Sequence, residues 1–212
     1  MPDVKSLIFI IDDDNSVRKS LARLLQSVDY DVETFSSAEE YLQREYFPGI
    51  GCILLDVNLT GMSGLKLQEV LLDKFPQHLP IIFITGKGSV PMSVSALKKG
   101  AVNFLLKPFE DKQLLDAVEE AVKLCGDIKT ESDEKLRLKQ LLNKLTPREF
   151  EIFRYILTGM LNKQIAAELN IAEQTVKIHR ASITNKLGIN STAEMARIAD
   201  RLDIPIPKKT YQ

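Results

Sequence analysis

Residues 52–64 read Cys52-Ile53-Leu54-Leu55-Asp56-Val57-Asn58-Leu59-Thr60-Gly61-Met62-Ser63-Gly64. An apolar run too short for a helix passes straight into an acid, and the acid opens a loop punctuated by Gly61 and Gly64. This is the pattern of a buried strand whose end delivers one carboxylate to a turn. Further short runs lie on either side, at 7–11, 32–35, 81–84 and 102–106. Most are rich in Ile, Val, Leu or Phe. The one at 32–35, within Asp31-Val32-Glu33-Thr34-Phe35, alternates apolar and polar residues and suits an edge strand with one wet face.

Helical patterns fall between these runs, near 15–28, 37–45, 64–74, 90–99 and 110–125. In the first, Val17, Leu21, Leu24, Leu25 and Val28 share one stripe. Ser37 followed by Glu40 reads as a capping box at the second. Strands alternating with helices over short connections predict an α/β fold: a doubly wound, five-stranded parallel sheet covered by helices on both faces. Ligands of such a sheet bind beyond the carboxyl ends of its strands.

Those ends carry chemistry. The run at 7–11 ends in Asp12-Asp13-Asp14, the central one in Asp56, the fourth in Thr85-Gly86 and the fifth in Lys107-Pro108. Parallel strands place them on one edge, so residues distant in sequence converge. Gathered carboxylates repel one another and call for a cation, and hard oxygen donors select Mg²⁺, or Mn²⁺ in its place. Lys107 adds a fixed positive charge. The chemistry that fits is phosphoryl transfer to a carboxylate, with Asp56 as nucleophile and Asp12 and Asp13 as metal ligands. Asp56 and the backbone carbonyl of Asn58 would complete the metal shell. Asp14 suits a helix N-terminal charge better than a ligand, and Lys87 and His78 are read as surface residues.

These motifs, IIDDD, LLDVNLTGMSG, FITGKG and FLLKPF, resemble the receiver domain of two-component response regulators in order and spacing, from residue 7 to about 124. The resemblance implies a flavodoxin-like receiver, phosphorylated on Asp56 by a sensor histidine kinase. It implies Asp12 and Asp13 as the acidic pair, Thr85 as the phosphate-sensing hydroxyl and Lys107 as the phosphate-contacting lysine. The aromatic switch position falls on Phe104, where many relatives have Tyr, and the Lys107-Pro108 bond is expected to be cis.

The expected receiver covers 1–125. From 126 to 144 the composition turns polar, and Leu138, Leu141, Leu142 and Leu145 then resume helical spacing. A partly helical linker is predicted, with a disordered tether as the alternative. From 145 to 212 every signal is helical. Thr146-Pro147-Arg148-Glu149 opens a helix with Thr as N-cap, Pro in the first turn and Glu reaching back. Residues 162–169 and 173–187, separated by a tight turn at Asn170-Ile171, form a helix-turn-helix, and Ser191 with Glu194 opens a last helix. An all-α four-helix domain follows.

The stretch LTPREFEIFRYILTGMLNKQIAAELNIAEQTVKIHRASITNKLGINS resembles the DNA-binding domain of the LuxR/FixJ (NarL) class of response regulators. Its second helix would enter the major groove of double-stranded DNA, presenting Gln174, Thr175, Lys177, Ile178, His179 and Arg180. Asn162 and Lys163 would meet phosphates. Ala172 stands where the class often has Ser or Thr, which removes an N-cap worth about 1 kcal/mol.

Charge follows this division. Residues 1–126 carry 13 Lys and Arg against 18 Asp and Glu, whereas 146–212 carry 10 against 7, a basic balance compatible with nucleic acid. Cys52 and Cys125 lack metal-site spacing and read as small buried hydrophobes. No apolar run is long enough to span a bilayer and the start does not resemble a signal peptide, so a cytoplasmic protein without membrane partners is expected. The expected function is a transcription regulator, not an enzyme, that forms a homodimer when phosphorylated, with RNA polymerase as a candidate partner. A rival is a phosphohydrolase with an aspartyl intermediate, but Asn58 stands where such an enzyme commonly has a second acid. Another is a helical module that binds protein or RNA.

Overall fold

The computed structural model describes residues 5–75, 78–189 and 191–207. The chain divides into two compact units, Met1–Lys129 and Thr130–Gln212.

In the first unit the apolar runs form parallel strands β1 (Leu7–Ile11), β2 (Asp31–Phe35), β3 (Gly51–Asp56), β4 (Ile81–Thr85) and β5 (Asn103–Leu106), in the order β2-β1-β3-β4-β5. β2 lies at an edge and is mostly exposed, as its alternation predicts. Helices α1 (Asn15–Gln26), α2 (Ala38–Leu42), α3 (Gly64–Lys74), α4 (Val90–Lys98) and the first part of α5 (Asp111–Leu142), which runs on past Lys129, complete the alternation. Successive strand residues point to opposite faces, so β1 feeds two cores. Phe9 and Ile11 join Ile53, Leu55, Tyr41, Leu67 and Leu71. Ile8 and Ile10 join Leu54, Ile82, Leu21, Leu25, Leu114 and Val118. With both faces covered, β3 and β4 are buried along their whole lengths.

Register aims the strand ends. Ile11 pairs with Leu55, so Asp12 and Asp56 emerge side by side from neighbouring strands. Thr85 pairs with Leu106, which places Lys107 one residue beyond. The chain order reverses about β1, leaving a crevice between the ends of β1 and β3 where open α/β sheets bind ligands.

Local signals set the helix starts. Asp14 caps α1, accepting from the backbone of Ser16 at 2.7 Å and Val17 at 3.3 Å. Ser37 caps α2 by accepting from Glu40 N at 3.1 Å, but the Glu40 carboxylate reaches past the N-cap to Ser36 N at 2.6 Å. α5 extends farther than the periodicity indicates. The stretch assigned to a partly helical linker is helical through Gly126 as far as Leu142. It contains no proline, is rich in Glu, Lys and Leu, and carries a Glu131–Lys135 ion pair at i,i+4 spacing.

The second unit is helical. After the end of α5 come α6 (Pro147–Leu157), α7 (Asn162–Glu168), α8 (Glu173–Leu187) and α9 (Thr192–Arg201). Their apolar stripes meet in one core of Ile152, Phe153, Ile156, Ile165, Val176, Ile183, Leu187 and Met195. Gly188 ends α8 in the left-handed conformation, φ +64°. Removing the fully buried Phe153 ring would cost about 3–5 kcal/mol.

Candidate functional site: an acidic pocket and a helix-turn-helix face

Asp12 and Asp56 are 1% and 6% exposed at adjacent strand ends, a costly placement for two like charges. Lys107 resolves it. Its Nζ donates to Asp12 Oδ2 at 2.7 Å and to Asp56 Oδ1 at 3.0 Å. Burial, the largest single influence, works against the ammonium charge, yet hydrogen bonds and attraction from the two carboxylates together raise Lys107 above the ordinary lysine value. The Lys107-Pro108 peptide is cis, as expected from the resemblance.

The loop after β3 is folded tightly around Asp56. Asn58 N donates to Asp56 Oδ2 at 2.6 Å. The Asn58 side-chain amide crosses to Thr85, donating to its hydroxyl at 2.8 Å. Gly61 sits at φ +84°, and a Cβ on Gly64 would lie 2.2 Å from the carbonyl oxygen of Asp56, so both glycines are required by the backbone path. Glu39 of α2 anchors the loop from outside, accepting from Met62 N at 3.0 Å. Phe104 is half-buried, its ring centroid 6.0 Å from that of Phe83.

Asp13 differs from its neighbours. It is exposed, and its Oδ2 accepts from Thr60 Oγ1 at 2.6 Å. Among the described residues no three His, Cys, Asp or Glu side chains are gathered into a ready-made metal cage. The physical reason is visible: Lys107 occupies the position between Asp12 and Asp56, and Thr60 holds Asp13. The donor set still suits a hard divalent cation, since Asp12, Asp13, Asp56 and the carbonyl of Asn58 offer only oxygen.

In the second unit, Val176, Ile183 and Leu187 bury one side of α8 and leave the other to solvent. Gln174, Lys177 and Ile178 are exposed, Ile178 to 62%. Thr175, His179 and Arg180 are half-buried. Arg180 Nη1 donates to Asn162 Oδ1 at 3.1 Å, joining the middle of α8 to the start of α7, where Lys163 is exposed. Lys177 pairs with Glu173 at 3.0 Å across two exposed side chains, a contact worth little and easily given up. Ala172 provides no side-chain cap for α8.

Sequence reasoning missed the residue that fixes α8 against α6. Glu149 closes its capping box by accepting from Thr146 N at 2.7 Å, and it also accepts from Lys186 Nζ at 2.6 Å and Ser182 Oγ at 2.6 Å. The bond from Lys186, then that from Ser182, then the Thr146 backbone hold its carboxyl at about 2. The local box accounts for Glu149 by itself, so nothing in the pattern points to partners more than thirty residues away.

A five-stranded parallel sheet with acids and a lysine at its carboxyl edge, followed by a helix-turn-helix, defines a response regulator with a DNA-binding output domain. The comparisons agree. Residues 8–119 match the response regulator receiver domain and residues 143–199 the bacterial regulatory proteins of the luxR family. The chain is 41% identical to the response regulator protein TodT of Pseudomonas putida over 202 residues, covering 95% of this chain and 88% of that protein. It is 36% identical to the transcriptional regulatory protein FixJ of Bradyrhizobium diazoefficiens, covering 93% and 96%. The low-resolution structure of response regulator StyR superposes with a TM-score of 0.84 at 42% identity over 93% of this chain and 99% of that one. Full-length FixJ from B. japonicum gives 0.56 at 32% identity over 95% and 99%. The chain belongs to the LuxR/FixJ family of two-component response regulators, and it is a transcriptional regulator. A receiver implies a histidine kinase partner and a LuxR-type domain implies DNA. No described helix is long and apolar enough to cross a membrane.

Proposed function

We propose that Asp56 accepts a phosphoryl group from a sensor histidine kinase, and that this switches dimerisation and sequence-specific DNA binding. The observation that carries the reading is the shared grip of Lys107 on Asp12 and Asp56. A carboxylate oxygen of Asp56 attacks phosphorus, the bond from phosphorus to the kinase imidazole nitrogen breaks, and the imidazole leaves with that electron pair. Lys107 transfers one of its hydrogen bonds to a phosphoryl oxygen. Mg²⁺ or Mn²⁺, held by Asp12, Asp13, Asp56 and the Asn58 carbonyl, would neutralise charge on the phosphoryl oxygens. Thr60 engages only Oδ2 of Asp13, so the other carboxylate oxygen would serve that shell.

The added group then recruits Thr85. Its oxygen already accepts from Asn58 and, at 3.2 Å, from Lys87 N, so its own O–H hydrogen is the one left to donate to the phosphate. Thr85 moves toward the phosphate and Phe104 turns into the space behind it. Val90, Val94, Leu97 and Leu106 lie exposed on α4 and β5, an apolar surface suited to a second copy of the chain. Two readers on one dimer bind two half-sites more tightly than either alone. Gln174, Thr175, Lys177, Ile178, His179 and Arg180 face base edges, and Asn162 and Lys163 meet phosphates. RNA polymerase is a further proposed partner and the cytoplasm the proposed compartment. The test is joint: after treatment with a small phospho-donor and Mg²⁺, light scattering should report dimers and a random DNA library should yield a selected sequence. An Asp56→Asn chain should do neither.

A further inference from the structure

Helix α4 is held to the receiver near one end only. Of its nine residues Ala96 alone is buried, whereas Val90, at the opposite end, is 77% exposed. The Ala96 carbonyl takes two bonds, one from Ala101 N at 3.1 Å and one from the side chain of Gln68 on α3. Val102 N then donates to Ile81 O at 2.8 Å, so the chain enters the sheet directly after the helix. The start of α4 has no such anchor. Its N-cap, Ser89, makes no side-chain cap bond. The loop before it is tied instead to the switch hydroxyl, Lys87 N donating to Thr85 Oγ1 at 3.2 Å.

Gln68 makes the fixed end. It is 1% exposed, and its Nε2 donates to Ala96 O at 3.1 Å, with the Lys99 carbonyl 3.5 Å away. Two carbonyl oxygens face the end of this side chain, so only its NH₂ group fits there. Oε1 is buried and has no partner. A methionine of similar length would fill the space without that orphaned acceptor, so packing alone does not account for an amide. Glu69, the next residue of α3, pairs with Lys99 at 2.9 Å from the solvent side. That pair is partly exposed and adds little.

We propose that Gln68 is a positioning residue that fixes the pivot of α4, so that the helix swings about Ala96 and its Val90 end travels when Thr85 moves. The drive rests on the phosphoryl switch proposed for Asp56; the pivot does not. Thr85 draws the loop through its bond from Lys87 N, and the loop draws the unanchored end of α4. Six residues separate Ala96 from Val90, about 9 Å of helix, so a swing of about 15° displaces Val90 by about 2 Å. Lys98, two residues beyond the pivot, moves about a third as far. The exposed surface of Val90, Val94 and Leu97 is then reshaped from one end, as a hinge requires.

Paired nitroxide labels on the full chain, diluted with unlabelled chain, test this. Lys19→Cys on α1 is the common reference, combined in turn with Val90→Cys and Lys98→Cys, all three native side chains being exposed. Cys52 and Cys125 are buried and stay unlabelled. After acetyl phosphate and Mg²⁺, the distance to position 90 is expected to change by about 2 Å, about three times the change at position 98. Without any phospho-donor, Gln68→Met should broaden the distance distribution at position 98, which a residue that only fills space would leave narrow. Equal displacement of both positions, no displacement in chain phosphorylated on Asp56, or an unchanged distribution in Gln68→Met would overturn the pivot. Where Asp56 takes up no phosphate, the switch fails instead, and the untreated Gln68→Met comparison still decides the pivot. Where Gln68→Met fails to fold, the two displacements with native Gln68 decide.

Discussion

The Asn58 side-chain amide donates to the Thr85 hydroxyl at 2.8 Å, tying the loop that follows Asp56 to the end of the neighbouring strand. The bond spans 27 residues of sequence and engages the hydroxyl proposed to follow the phosphate. Asn58→Ala removes it, releasing Thr85 in the unphosphorylated chain. One such bond contributes about 1 kcal/mol, so the active-like population should rise about fivefold. Dimer fraction without a phospho-donor measures this, and an unchanged fraction would show that the bond does not restrain the switch.

Lys107 stands between two nearly buried carboxylates, so its loss should destabilise the receiver. Breaking a buried pair typically costs about 3–5 kcal/mol, but the lysine side chain is 24% exposed and solvent screens part of this. Lys107→Ala should therefore lower stability by about 1–3 kcal/mol in urea unfolding. Mg²⁺ should restore more stability to the variant than to the parent, because a second cation fills the vacated charge. Equal effects of Mg²⁺ on both would place the ion elsewhere.

Glu149 predicts an acid transition in the DNA-binding unit. Its carboxyl is held at about 2 by Lys186, Ser182 and the Thr146 backbone, against an ordinary value of 4.5. A group whose folded value is depressed contributes stability above its unfolded value and loses it as pH falls toward the folded one. Stability should therefore decline between about pH 4.5 and 2. Glu149→Gln should flatten that stretch of the stability curve and lose roughly 1–3 kcal/mol at neutral pH, through weakened bonds to α8.

Two substitutions separate the roles on the reading face. Lys163→Ala should weaken binding to all sequences alike and reduce the salt slope by about 1, as loss of one phosphate contact requires. Ile178, exposed to 62%, contributes little to the fold, so Ile178→Ala should leave stability within about 0.5 kcal/mol. It should relax preference at one position, with thymine the expected base, through loss of a methyl contact. Affinity across a salt series, alongside selection from a random library, measures both. A uniform loss with Ile178→Ala would remove it from base reading.

The sheet was legible because strands buried on both faces must be apolar throughout, as 52–55 and 81–84 are, and because parallel strands force Asp12, Asp56 and Lys107 to one edge. Less legible was whatever depends on distant side chains meeting. The length of α5 was hidden because residues 127–137 lack a core-facing stripe, and helix propensity without a stripe does not distinguish a helix from a tether. Thr60 on Asp13, Glu39 on Met62 and Glu149 on Ser182 and Lys186 are contacts between elements, and each residue has an adequate local explanation without them.

The central claim is that one carboxylate takes up the phosphoryl group. The most direct measurement is localisation of the acid-labile phosphate by peptide mass spectrometry, after brief treatment of the full chain with acetyl phosphate and Mg²⁺. The phosphate should lie on the peptide containing Asp56 and vanish in Asp56→Asn. Label on another residue, or undiminished label in Asp56→Asn, would contradict the account.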